Sequence, residues 1–63
     1  MITVTQTPRE GEEIQVKTSN PPQVNDPVEF IKGRRAVAIG IVLEVPSPHT
    51  YTVLVVASEA GPQ

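Results

Sequence analysis

The residues able to do chemistry are few in this chain, and their spacing limits what they can do. Ser47 and His49 stand two apart in Pro46-Ser47-Pro48-His49-Thr50. A hydroxyl near an imidazole suggests a nucleophile and its base. That chemistry needs the base within hydrogen-bond reach and a third group to orient it. Two positions on a proline-rich turn supply neither. The seven acidic residues are scattered or fall in loop-like stretches such as Arg9-Glu10-Gly11-Glu12-Glu13, and no pair of them reads as an acid and its base. With one histidine and no cysteine, the sequence offers no thiolate or histidine metal set and no disulfide. No phosphate-cradling or dinucleotide glycine pattern occurs. The expectation is a protein that is not an enzyme, with no catalytic residue, no cofactor and no metal.

One concentration of like charge remains, Lys32-Gly33-Arg34-Arg35. Three cations at a glycine turn suit phosphate groups of RNA or DNA, or they pair with Glu29 and Glu44 across a sheet. Single-strand binders add aromatic side chains on which bases stack. Here Phe30 and Tyr51 are the two aromatics, and Phe30 reads as core. The balance of five Lys and Arg against seven Asp and Glu, net −2, also disfavours indiscriminate nucleic-acid binding. Lys32, Arg34 and Arg35 therefore stand as the alternative, nucleic-acid-contacting site.

The elements that must position these residues are strands. Residues 26–57 hold most of the large apolar side chains. Along residues 35–45 the odd positions (Val37, Ile39, Ile41, Leu43, Val45) are large and the even ones (Ala36, Ala38, Gly40, Val42, Glu44) mostly small. Side chains alternate faces along a strand, so the odd face is expected to fill the core. Gly40 inside the strand marks a bend, a bulge or a close backbone approach. Pro46 and Pro48 lack N–H donors, so residues 46–50 read as a loop. Residues 51–57 then form a strand apolar on both faces, with Tyr51, Val53 and Val55 on one and Thr52, Leu54 and Val56 on the other. A strand with one solvated face alternates apolar with polar, so something has to cover the second face.

Residues 2–5 and 14–18 alternate, and residues 28–32 point Val28 and Phe30 inward before the reversal at Gly33. Pro21-Pro22 reads as a stiff connector. No helical period is present, and the sequence contains neither an internal repeat nor a run of eighteen apolar residues that would span a membrane. The start, MITVTQTPRE, has no secretory pattern, and a cytoplasmic site of synthesis is expected. The sum is an all-β chain, a single β-barrel domain over residues 1–63. It is a small antiparallel SH3-like barrel or sandwich of about five strands, with an extended N-terminal arm (1–8) and a C-terminal tail (58–63).

A 63-residue chain without cysteine buries little and often needs oligomerisation to hold its fold. Ile2, Val4, Val42, Leu54 and Val56 are the expected partner-binding side chains, contributing about 1.5–3 kcal/mol for each large one fully covered. Two resemblances bear on the partner. Asp26, Val28, Phe30, Gly33, Gly40, Val42 and Val45 resemble the spacing of the KOW motif, with Val37 where the motif has its second glycine. That family implies an SH3-like barrel and RNA contact. Asp26-Pro27-Val28, Gly33 and Val37-Ala38 are similar to the decoration, or cement, proteins of tailed-phage capsids. This second resemblance implies a structural protein on the virion surface, assembled in a host cytoplasm. Its partners would be copies of itself, the major capsid protein, or both, with no membrane and with nucleic acid as the less favoured partner. A small protein-binding subunit of a larger complex is the remaining alternative.

Overall fold

The computed structural model describes residues 1–61; Pro62 and Gln63, the end of the expected tail, lie outside the described residues. The chain is all-β, with no helix among the described residues. Five strands follow in order: β1 (Ile2–Thr3), β2 (Glu13–Lys17), β3 (Pro27–Lys32), β4 (Arg35–Ser47) and β5 (Thr50–Ser58). They form one sheet in the order β1-β3-β4-β5-β2, curled into a half-barrel that is compatible with a small SH3-like barrel. The sheet is mixed and not purely antiparallel, because β1 runs parallel to β3 with Ile2 opposite Phe30. A parallel pair needs a long crossover. Here the chain leaves β1 at one edge and reaches β2 at the other, with Val4 against the core and Pro8 buried on the way.

That crossover lays the extended N-terminal segment along the chain's own sheet. Val4 N–H donates to the Ile31 carbonyl, Glu10 N–H to the Gly61 carbonyl and Gly11 N–H to the Val55 carbonyl. The Ser58 hydroxyl donates to the Pro8 carbonyl. Residues 1–12 are thus tied to their own sheet. The same bonds hold residues 58–61, of which Ser58 ends β5 and Glu59 donates its N–H to the Val37 carbonyl.

The core is Val28, Phe30, Val37, Ala38, Val42, Tyr51, Val53 and Val55, with Ile2, Val4, Ile14, Val16 and Val45 packed against it. The inward set of β4 differs from the odd face expected of it. Val28 lies opposite Gly40 and Phe30 opposite Ala38, but Ile31 lies opposite Ala36, so Val37 is an extra residue. Such a bulge bends the strand and turns two successive side chains to similar sides. Val37 and Ala38 are both buried as a result, while Ile39 and Leu43 face solvent. Gly40 explains why the small residues are inside. A Cβ there would stand 2.5 Å from Val53 Cγ1 and 2.7 Å from the Leu54 carbonyl oxygen. At Gly40 the curl brings β5 so close to β4 that no side chain fits there, and the neighbouring large residues Ile39 and Ile41 fall on the convex side.

One further expectation shifts. Pro46 does not end β4, which runs on to Ser47, paired with Thr50 across the two-residue turn Pro48-His49. The ladder is irregular between Glu44 and Ser47, which is where a residue without an N–H can sit inside a strand. Thr52 is buried, at 4% exposure, and its hydroxyl has no hydrogen-bond partner among the described residues. A buried unpaired hydroxyl costs about 1–3 kcal/mol, and a methyl of the same size costs nothing comparable. Thr52→Val is expected to raise stability by about 1 kcal/mol. In a domain of this size that is a rise in Tm of roughly 5 °C, readable in a thermal melt by circular dichroism.

Candidate interaction surface

Cross-strand partners share a face of a sheet, so the register shows which side chains gather on the convex side. Ile41 lies between Pro27 of β3 and Leu54 of β5; Ile39 lies between Glu29 and Ala57. On β5, Val56 is an extra residue between Val55, opposite Gly40, and Ala57, opposite Ile39. On β4, Leu43 is the extra residue between Val42, opposite Val53, and Glu44, opposite Thr52. Bulges therefore put two more large apolar side chains in solvent. Ile39 and Val56 are each 44% exposed and Leu43 40%, while Ile41 and Leu54 are half-buried. Single exposed apolar residues are common on any protein; here several are neighbours on two adjacent strands.

Next to this group is a shallow depression of about 320 Å³ lined by Ala36, Val37, Ala38, Ile39, Ala57, Ser58 and Glu59. It lies where the bulges at Val37 and Val56 shift the strands relative to one another. Its walls are apolar except at one end, where Glu59 accepts a hydrogen bond from the Arg35 guanidinium.

The expected site residues separate on this structure. Leu54 and Val56 lie at the surface with part of their area uncovered. Val42 does not: at 0% exposure it is at the centre of the core, opposite Val53, because the alternation of β4 runs the other way from the one expected. Ile2 and Val4 are half-buried against their own core, drawn there by the pairing of β1 with β3. Ile39 and Leu43 were missed as surface residues. The signal that finds them is Gly40, since a glycine needed for close backbone approach belongs to the crowded, inner face.

The basic turn is an exposed hairpin tip, with Gly33 at φ 68 permitting the reversal. Lys32 and Arg35 are paired across it, and Arg34 is exposed. Arg35 is engaged with Glu59, so the three cations are not equivalent. His49 is exposed in the β4–β5 turn, where its backbone N–H donates to Ser47 Oγ at 3.3 Å. The Ser47 hydroxyl thus serves as an acceptor that shapes the turn. Among the described residues, no group of three or more His, Asp or Glu side chains could hold a metal ion, and no helix is long and apolar enough to cross a membrane. Comparison of the chain with protein-family models, curated proteins and solved structures finds no match.

Proposed function

We propose that this chain is a structural, non-enzymatic assembly protein whose convex sheet face docks on other protein chains, and that it acts as a decoration protein on a phage capsid. The carrying observation is the group Ile39, Leu43 and Val56, three large apolar side chains left 40–44% exposed beside half-buried Ile41 and Leu54. Covering what remains exposed would contribute about 1 kcal/mol for each of the three. On this account the partners are copies of the chain, the major capsid protein, or both, the location is the virion surface, and no cofactor takes part. Nucleic-acid contact through Lys32, Arg34 and Arg35 is the less favoured reading, since Glu59 already engages one of the three cations.

The test is the double substitution Ile39→Lys/Val56→Glu. It leaves the net charge at −2, because one positive and one negative charge are added, and it places the new lysine opposite Glu29. Far-ultraviolet circular dichroism is expected to stay unchanged. Binding to the assembled shell, followed by sedimentation of chain with particles, is expected to be lost. A variant that folds and still co-sediments like the parent would sink the reading.

A further inference from the structure

A second surface, distinct from the convex face, is the free edge of β2. The strand is terminal in the sheet and pairs on one side alone, with β5. Val55 N–H donates to the Glu12 carbonyl, and Gly11 N–H donates to the Val55 carbonyl, so the main-chain groups of Val55 face β2. Main-chain groups alternate direction along an antiparallel strand. Val53 and Tyr51 therefore also face β2, and meet Ile14 and Val16. The N–H and C=O groups of Glu13, Gln15 and Lys17 then point the other way, toward the open edge. Among the described residues no loop backbone group bonds to them.

Edges of this kind template pairing with another strand unless something blunts them. The opposite edge, β1, is two residues long. The β2 edge is five residues of unbroken alternation, Glu13-Ile14-Gln15-Val16-Lys17, with no proline, and Ile14 and Val16 remain half-buried on the core side. Its charges are arranged with a symmetry of their own. A two-fold axis through Gln15 places Glu13 opposite Lys17 of a second copy and Lys17 opposite Glu13. Ile14 then meets Val16 on the core side, and Gln15 meets Gln15 on the axis. All five residues pair, both charges are compensated on the same face, and the residues with outward main-chain groups meet one another. Moving the axis to Ile14 or Val16 shortens the overlap and leaves a charge opposite glutamine.

We propose that two copies of this chain pair antiparallel through their β2 edges, centred on Gln15, to make one continuous sheet. The proposal goes beyond docking by the convex face: Ile39 and Val56 are on β4 and β5, and the variant altered at both keeps this edge.

Charge reversal tests the pairing and its register together. The unaltered chain is expected to sediment as a concentration-dependent dimer. Glu13→Lys places lysine opposite lysine twice, by symmetry, and Lys17→Glu places glutamate opposite glutamate twice. Each alone is expected to weaken dimerisation about tenfold or more. An equimolar mixture of the two variants restores opposite charges at every pair, and is expected to form heterodimers with the affinity of the parent. Gln15→Pro removes an outward N–H that the fold does not use, and is expected to give a folded monomer. The proposal is overturned by a parent chain that stays monomeric up to about 1 mM. It is equally overturned by single reversals that dimerise like the parent, or by a mixture no tighter than its components.

Discussion

Gly40→Ala is expected to destabilise the chain by about 3 kcal/mol, the upper range for overfilling a packed interior. The cause is space. The new methyl would stand 2.5 Å from Val53 Cγ1 and 2.7 Å from the Leu54 carbonyl oxygen. A valine methyl can rotate away, but a backbone oxygen in a ladder moves only if the strand moves. That strand movement would open the β4–β5 pairing on which the core rests. Small domains have only several kcal/mol of stability in all, so the variant should be largely unfolded in mild denaturant. A urea titration reads the loss as a lower midpoint at unchanged slope. Gly33 offers the contrast, because nothing lies within 4 Å of a Cβ there and its φ of +68 is the difficulty. Gly33→Ala is expected to cost about 1 kcal/mol, from backbone strain alone. Equal losses at the two glycines would mean that β4 and β5 are not in close approach.

The second large effect is Val42→Asp, expected to leave the chain unfolded. Val42 is fully buried in the cluster that includes Phe30, Val53 and Val55. A carboxylate there would lack a partner, and a buried unpaired charge costs several kcal/mol on top of the packing lost. Circular dichroism should show loss of the β signal at room temperature. Ile39→Lys/Val56→Glu provides the contrast, because both variants alter an apolar residue of β4, on opposite faces. One side of the sheet should answer with unfolding and the other with lost docking. If Val42→Asp folds, the inner and outer faces of β4 have been assigned the wrong way round.

Much of the architecture is legible in the residues. The five strands follow from β-branched runs and glycine and proline punctuation, and their observed ends fall within about two residues of those expected. Tyr51, Val53 and Val55 are inward as their alternation requires, and Val28 and Phe30 likewise. What the residues do not display is the count of bulges. Each extra residue, at Val37, Leu43 and Val56, reverses the alternation beyond it, and a one-residue slip sends every later side chain to the other face. Size patterning alone points Ile39 and Leu43 inward; curvature at Gly40 and the bulges decide otherwise. The same limit applied to Pro46, which is tolerated inside β4 because the ladder is irregular there. Pairing of β1 with β3 was also hidden, since nothing in Ile2 or Val4 distinguishes contact with their own core from contact with another chain. Of the candidate surface, Leu54 and Val56 were readable from a strand apolar on both faces; Ile39 and Leu43 needed the register.

The central claim is that the convex face is covered by other chains when the protein works. The sequence contains no cysteine, so Ile39→Cys introduces a single thiol on that face. Its rate of reaction with a maleimide, measured free in dilute solution and again on assembled particles, reads coverage at that position directly. The account predicts rapid labelling in dilute solution, as the 44% exposure of Ile39 implies, and labelling slowed by tenfold or about that on the particle. Equal rates in the two states would contradict it.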